Sequence, residues 1–151
     1  MWVPSLQSFS MHDPMNALSL KKTDCILLVD DDETSNYISQ RIVSKFYAAA
    51  QTHLLTNGQK AMEFMEKLWS EQKKSPDFIF LDINMPVMDG FQLLEELRRK
   101  DIKSVEQSKI ILLTSSSNPR DVEEAKKYPI HAYLNKPLTY EKMKELSETL
   151  H

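Results

Sequence analysis

The chain has 151 residues, a length that suits one domain with a core of its own. Its composition, 41% hydrophobic and 27% charged with a net charge of -3, is ordinary for a globular protein and gives no charge excess to attract nucleic acid or an anionic membrane. No run of about 18 apolar residues predicts a membrane span, and residues 1–20 lack the pattern of a signal peptide. We therefore expect a cytoplasmic location, which the single cysteine, unable to form an internal disulfide, also favours.

The N-terminal segment differs in its sequence pattern from the rest of the chain. Residues 1–22 lack the strand and helix patterns that follow, and we predict that they form a flexible N-terminal extension. In an alternative interpretation, Trp2 and Phe9 of this segment dock on a partner. Residues 23–151 are predicted to form one domain.

From residue 24 onward, apolar runs alternate with segments whose apolar residues recur at helical spacing. The predicted strands are Cys25–Val29, residues 51–55, Phe78–Leu81, Ile110–Leu113 and Ala132–Leu134. The inner faces predicted for the first three helices are Ile38, Ile42 and Phe46, then Ala61, Phe64, Met65 and Leu68, then Leu93, Leu94 and Leu97. Asn118 and Pro119 have the pattern of a cap and a first helical residue, and the last helix has an inner face of Met143, Leu146 and Leu150.

Five strands alternating with five helices predict an α/β fold with a parallel sheet covered on both faces. Right-handed crossovers leave few topologies for such a chain, and strand order 2-1-3-4-5 places the first, third, fourth and fifth strands side by side. A glycine-rich nucleotide-binding turn is absent, because the whole sequence holds only two glycines, Gly58 and Gly90.

Polar side chains follow four of the predicted strands. Asp30 and Asp31 follow the first strand, Asp82 the third, Thr114 the fourth and Lys136 the fifth. Open α/β sheets build their sites at the carboxyl ends of parallel strands, so we expect these side chains to lie close together. Carboxylates gathered at one edge repel each other unless positive charge intervenes, and a hard divalent cation such as Mg²⁺ and the lysine can both supply it.

This set of side chains suits the formation of an aspartyl phosphate. A carboxylate can attack phosphorus, and phosphoryl transfer is catalysed mainly by positioning and by cationic stabilisation. Asp82 would be the nucleophile, Asp30 and Asp31 would hold the metal, Lys136 would pair with the product phosphate, and the Thr114 hydroxyl would hydrogen-bond one of its oxygens. Each residue alone has an ordinary explanation as a cap, a structural hydroxyl or a solvated charge. Their order along four strand ends favours the functional interpretation.

The same segments resemble the receiver domain of bacterial two-component response regulators, of the stand-alone, chemotaxis-regulator-like type. The resemblance rests on Leu28–Asp32, Asp82–Gly90, Leu113–Ser115 and Asn135–Pro137, and it extends over residues 24–151. It implies a flavodoxin-like, doubly wound, five-stranded parallel sheet of order 2-1-3-4-5 with five helices. It also implies that Asp82 accepts a phosphoryl group from the phosphohistidine of a histidine kinase.

The resemblance further implies a metal site for Mg²⁺, or for Mn²⁺. Asp31 and Asp82 would bind the ion directly, Asp30 would contribute nearby, often through water, and the backbone carbonyl of Asn84 would be a further ligand.

The resemblance also implies a switch. The Thr114 side chain is drawn toward the phosphoryl group, Tyr133 turns inward behind it, and the surface of the fourth helix, fifth strand and fifth helix changes. Asn84 and Ser116, two residues after Asp82 and Thr114, are expected to influence phosphate turnover. A cis peptide bond is expected before Pro137.

The resemblance implies a sensor histidine kinase, a histidine-phosphotransfer protein, or both as partners, together with a downstream protein target. We expect no direct contact with nucleic acid or membrane, a monomer or a weak homodimer, and no enzymatic activity beyond the protein's own phosphorylation and dephosphorylation. Because no output domain follows Leu150, a single-domain regulator is expected, the alternative being a piece of a longer protein. Two other functions compete with this interpretation. One is a Mg²⁺-dependent phosphatase or hydrolase that passes through an aspartyl phosphate; it is disfavoured because Asn84 stands where such an enzyme would need a second acid. The other is a phosphate-independent scaffold.

Overall fold

The computed structural model describes residues 23–100 and 107–150, so the predicted extension over residues 1–22 lies outside the described part. The strands are β1 (Cys25–Val29), β2 (Gln51–Leu55), β3 (Phe78–Leu81), β4 (Lys109–Thr114) and β5 (Ala132–Asn135). The helices of the described residues are α1 (Glu33–Phe46), α2 (Gly58–Gln72), α3 (Gly90–Arg99), α4 (Pro119–Ala125) and α5 (Tyr140–Leu150). All neighbouring strands pair in parallel in the order β2-β1-β3-β4-β5. This confirms the predicted doubly wound α/β fold.

The sheet separates two apolar layers, because successive residues of a strand point to opposite faces. Leu27, Ile79 and Leu112 belong to the layer beneath α2, α3 and α4. Ile26 and Phe80, one residue away from Leu27 and Ile79, belong to the layer beneath α1 and α5. Apolar residues at every position of β3 are therefore buried, as expected for a central parallel strand.

Several predicted helix faces are confirmed. In α3 and α5 the buried apolar residues are those that the spacing predicts: Leu93, Leu94, Leu97, Met143, Leu146 and Leu150. Asn118 caps α4 through a hydrogen bond that its side chain accepts from Arg120 N, and Pro119 is the first helical residue. Within the described residues, no helix combines the length and the apolar character needed to cross a bilayer.

One predicted face is confirmed only in part: Ile42 and Phe46 pack against the core, as expected, but Ile38 does not lie on that face. Ile38 was expected to face the core from α1, but it is 41% exposed, and the helix instead buries Asn36, Ser39 and Val43. The side-chain amide of Asn36 donates a 2.8 Å hydrogen bond to the carbonyl oxygen of Asp30. Since residues three and four apart share a helix face, an inward Asn36 fixes residues 39 and 43 inward and leaves Ile38 at the edge.

Candidate functional site

Two carboxylates lie side by side because β1 and β3 are neighbours. Val29 and Leu81 are paired across these strands, and the amide of Asp82 donates a 2.9 Å hydrogen bond to the carbonyl of Val29. The next residue of β1 is Asp30, so both strands end in an acid at the same edge of the sheet. Asp31 is exposed beside them, and one carboxylate oxygen from each of these three acids lies within 4.8 Å of the others.

Lys136 is brought to these acids from the far strand of the sheet. Its backbone amide donates a 2.9 Å hydrogen bond to the carbonyl of Thr114, which fixes the end of β5 against the end of β4. Its ammonium lies 2.5 Å from Asp30 Oδ2 and 3.3 Å from Asp82 Oδ2. Four of the predicted site residues, from three strand ends, thus meet at one point.

The Asp30 carboxylate is held from both sides. Its Oδ1 accepts a 2.9 Å hydrogen bond from the amide of Asp32, while Oδ2 pairs with Lys136. Asp32 in turn caps α1 by accepting hydrogen bonds from the amides of Thr34 and Ser35. Asp30 is therefore oriented by the first turn of α1, and its oxygens are engaged before any ligand binds.

The Asp82 carboxylate has fewer contacts than the Asp30 carboxylate. Its side chain is buried, with 5% of the residue exposed, and its Oδ1 atom has no hydrogen-bond partner among the described residues. Burial, followed by the negative charge of Asp30, raises the pKa of Asp82, and the Lys136 ammonium only partly opposes this. A buried carboxylate oxygen without a partner is costly to maintain and is free to accept a cation or to attack an electrophile.

Negative charges surround Lys136, and they act on the pKa of its ammonium. Burial alone would lower the pKa of its ammonium, but the hydrogen bond to Asp30 and the charges of Asp82 and Asp30 together raise it. Lys136 is accordingly a fixed positive charge within the working pH range.

The donor set fits a hard divalent cation. Three carboxylates lie close together, two of them paired with one ammonium, and one buried carboxylate oxygen has no partner among the described residues. Oxygen is the ligand atom that Mg²⁺ and Mn²⁺ prefer. The residues that would hold such an ion are Asp30, Asp31 and Asp82. Asn84 is exposed two residues beyond Asp82, in the loop where its backbone carbonyl was predicted to contribute.

Ser116 connects the two residues predicted to act as a switch. Thr114 is fully buried, and its hydroxyl oxygen accepts a 3.1 Å hydrogen bond from the amide of Ser116. Tyr133 is 5% exposed, and its hydroxyl donates a 3.1 Å hydrogen bond to the carbonyl of Ser116. The Ser116 hydroxyl itself donates a short hydrogen bond to Asp121 in the first turn of α4. The loop between β4 and α4 is thus tied to the site and to the outer surface of the fold.

Two contributors were missed by the sequence analysis. Asn36 supports the carbonyl of Asp30, and Lys142 donates hydrogen bonds to the carbonyl oxygens of Asn135 at 2.7 Å and Pro137 at 3.0 Å. The peptide bond before Pro137 is cis. No pattern in the sequence marks Asn36 or Lys142, because each acts through a tertiary contact with backbone atoms.

The comparisons with known proteins decide the family. The family model described as the response regulator receiver domain matches residues 26–148, most of the chain. The chain belongs to this family. As a member, it is a receiver domain of the two-component type with a chemotaxis-regulator-like fold.

Three matches, two of them to Rcp1, illustrate the similarity. The response regulator Rcp1 from Synechocystis is 29% identical over 113 residues, which are 74% of this chain and 75% of the relative. The crystal structure of a two-component response regulator from Cytophaga hutchinsonii has a TM-score of 0.76 and 28% identity, and the match covers 86% of this chain and 98% of that one. The structure of the Mn²⁺-bound form of Rcp1 has a TM-score of 0.66 and 25% identity, with 83% of this chain and 90% of that one covered.

Proposed function

We propose that this receiver accepts a phosphoryl group on Asp82 in a reaction that depends on Mg²⁺ or Mn²⁺. The observation that carries the proposal is the buried Oδ1 of Asp82, which has no partner within residues 23–100 and 107–150 and lies beside a fixed ammonium and two further carboxylates. The donor would be the phosphohistidine of a sensor histidine kinase, of a histidine-phosphotransfer protein, or of both, since receiver domains work with such partners. A cytoplasmic location follows from this role.

In the proposed reaction an oxygen of the Asp82 carboxylate attacks phosphorus. A new P–O bond forms as the bond between phosphorus and the donor's nitrogen breaks, and the electron pair of that bond leaves with the nitrogen. Lys136 stabilises the negative charge on the phosphoryl oxygens, and the Thr114 hydroxyl donates a hydrogen bond to one of them. These residues position and stabilise charge, so the chain promotes its own phosphorylation and dephosphorylation without acting on a separate substrate.

A divalent cation, when bound, would offset the charge of the carboxylates and of the incoming phosphoryl group. We assign its direct ligands to Asp31 and Asp82 and to the backbone carbonyl of Asn84, with Asp30 contributing nearby. Asp30 suits this lesser role because Lys136 and the amide of Asp32 already engage its oxygens. The Mn²⁺-bound form of the similar regulator Rcp1 supports a site of this kind.

The proposed output is a change in the surface formed by α4, β5 and α5. A phosphoryl group adds up to about two negative charges, which bias an existing equilibrium between two arrangements. Thr114 and Tyr133 would transmit the change through Ser116, which hydrogen-bonds both residues and Asp121 of α4. The surface would bind a downstream protein target, with the chain acting as a monomer or a weak homodimer and touching neither nucleic acid nor membrane.

We further propose that Asn84 and Ser116 influence how long the phosphoryl group persists. Both flank the site, and Ser116 is already hydrogen-bonded to Asp121 and so is poorly placed to orient an attacking water. Hydrolysis would then depend mainly on water reaching Asp82 past the exposed Asn84.

The nucleophile is tested with acetyl phosphate and Mg²⁺. The wild-type protein should gain one acid-stable, base-labile phosphoryl group, and Asp82→Asn should reduce labelling to the background. Asp89→Asn is the matched control, because Asp89 lies in the same loop and caps α3, where asparagine is an equally good cap. It should label like the wild type. Equal labelling of Asp82→Asn and wild type would place the nucleophile elsewhere and overturn the proposal.

A further inference from the structure

Lys142 lies in the first turn of α5 and reaches back over the loop that carries Lys136. Its ammonium donates hydrogen bonds to the carbonyl oxygens of Asn135 at 2.7 Å and Pro137 at 3.0 Å. Those carbonyls belong to the residues immediately before and after Lys136. One side chain therefore bridges the two backbone groups that flank the predicted phosphate-binding lysine.

The bridge completes a set of restraints on the backbone of Lys136. The amide of Lys136 donates to the carbonyl of Thr114, so the peptide group between Asn135 and Lys136 is held at both its N–H and its C=O. Because a peptide group is planar, anchoring both ends fixes its orientation. The Pro137 carbonyl is held by the same ammonium.

The position of Lys142 is itself fixed. Its amide donates a 3.2 Å hydrogen bond to the Thr139 hydroxyl, and the next residue, Met143, is fully buried in the core. The helix therefore anchors the lysine stem, and the stem places the ammonium over the loop. A restraint of this kind matters because the Lys136 ammonium must be delivered to Asp30 and Asp82 with the accuracy that phosphoryl transfer requires.

We propose that Lys142 is a positioning residue for phosphoryl transfer: it orients the backbone on both sides of Lys136 and so fixes the Lys136 ammonium against Asp30 and Asp82. The kinetic part of this inference rests on the proposed function, in which Lys136 stabilises the transferring phosphoryl group. The structural part, the orientation of Lys136, does not depend on phosphorylation.

The first experiment measures the Lys136 ammonium directly in the unphosphorylated protein. In ¹⁵N NMR spectra of lysine Nζ groups, the Lys136 ammonium should be protected from solvent exchange by its ion pair with Asp30, and Lys136→Met assigns the signal. Lys142→Met keeps the length of the stem and removes the hydrogen-bond donors, so the Lys136 signal should broaden or disappear. Lys142→Arg should restore it. Lys144→Met, which removes the same charge from an exposed position of α5, should leave it unchanged.

The second experiment measures the rate of phosphorylation by acetyl phosphate at saturating Mg²⁺. Lys142→Met should slow the reaction at least about fivefold, while the Mg²⁺ dissociation constant changes less than about twofold, since the carboxylates are untouched. Lys142→Arg should recover most of the rate. In a Lys136→Met background the Lys142→Met change should have almost no further effect, because the residue it positions is gone.

The outcomes separate the two proposals. If wild type is not labelled on Asp82, the proposed function fails, and the NMR experiment alone decides whether Lys142 orients Lys136. If wild type is labelled but Lys142→Met keeps both the wild-type Lys136 ammonium signal and the wild-type rate of phosphorylation, the positioning role is wrong. An equal loss of rate in the wild-type and Lys136→Met backgrounds would also overturn it, since Lys142 would then act on the general stability of α5.

Discussion

Asp30 and Asp82 stand next to each other at the ends of β1 and β3, and a single ammonium lies between them. Together with Asp31 they place more negative than positive charge at this edge of the sheet. Burial makes the imbalance harder to tolerate, because water screens buried charges poorly. A cation that neutralises the site would therefore bind with favourable electrostatics and stabilise the folded protein.

Asp31, the exposed one of the three acids, gives the sharpest test of a metal site. Asp31→Ala removes a proposed direct ligand without disturbing the core, and we expect it to weaken Mg²⁺ binding about tenfold or more, as measured by isothermal titration calorimetry. Asp89→Ala is the comparison, because it removes an equal charge from the loop after β3. Asp89 accepts a hydrogen bond from Gln92 N in a capping box, so its loss should cost about 1 kcal/mol of stability and leave Mg²⁺ binding nearly unchanged. Similar losses of affinity in both variants would contradict the assigned ligands.

The loop between β3 and α3 packs so closely against neighbouring backbone that two positions require glycine. A Cβ atom at Gly90 would lie 2.4 Å from the carbonyl oxygen of Asp82, and one at Gly58 would lie 2.6 Å from that of Met88. Only glycine allows these two approaches. The amides of Gly90 and Gly58 use the closeness to donate hydrogen bonds of 2.8 Å to Ile83 and 2.9 Å to Met88.

Between these two anchors the loop contains a strained residue. Val87 has a φ of 68°, which a β-branched side chain rarely adopts, and the amide of Met88 donates a 2.7 Å hydrogen bond to the carbonyl of Pro86 around it. Val87 is 80% exposed, so little apolar burial offsets the strain. The closing of the loop over Asp82 thus carries a local energetic cost.

Relieving this strain should stabilise the protein. We expect Val87→Asn to raise the free energy of unfolding by about 1 kcal/mol in urea denaturation, because asparagine tolerates a positive φ far better than valine. Val87→Ala removes the β-branch but lacks the short polar side chain that helps asparagine adopt a positive φ, so it should gain less. A Val87→Asn protein that is no more stable than Val87→Ala would show that the loop relaxes around valine without cost.

At the scale of the whole molecule, the sequence predicted the architecture and the edge of the sheet at which the candidate site residues meet. Runs such as Phe78–Leu81 have the length and composition of buried parallel strands, and the spacing of Leu93, Leu94 and Leu97 identified the inner face of α3. The strand ends then placed Asp82 and Lys136 at one edge, because parallel strands all end on the same side.

Features that depend on contacts between elements were not predictable. The inward turn of α1 follows from the hydrogen bond between Asn36 and the backbone of Asp30, which no apolar pattern indicates, and Ile38 was misplaced for this reason. Lys142 has the appearance of an ordinary surface lysine until its distance to the loop carbonyls is known. Periodicity identifies which face of a helix is apolar, whereas polar contacts with the backbone arise only once the layers are packed.

The packing of α5 against the start of β5 also makes stability depend on pH. His131 Nε2 lies 2.8 Å from the Thr149 hydroxyl oxygen, whose own proton is donated to the carbonyl of Leu146. Thr149 must therefore accept the hydrogen bond, which places a proton on Nε2 of a neutral imidazole. Burial, followed by the positive charge of Lys109, lowers the pKa of His131.

A histidine with a lowered folded-state pKa binds fewer protons in the folded state than in the unfolded state. Its neutral form favours folding above the unfolded pKa of about 6.5, and this contribution is lost as the pH falls below that value. We expect the free energy of unfolding to decrease between pH 7 and pH 5, and His131→Gln, which stays neutral, to reduce that slope in urea titrations. Lys109→Met should reduce it partly, since burial is the larger cause, whereas Lys67→Met, which removes a charge from the exposed face of α2, should not. An unchanged slope in His131→Gln would mean that other groups govern the acid sensitivity of the fold.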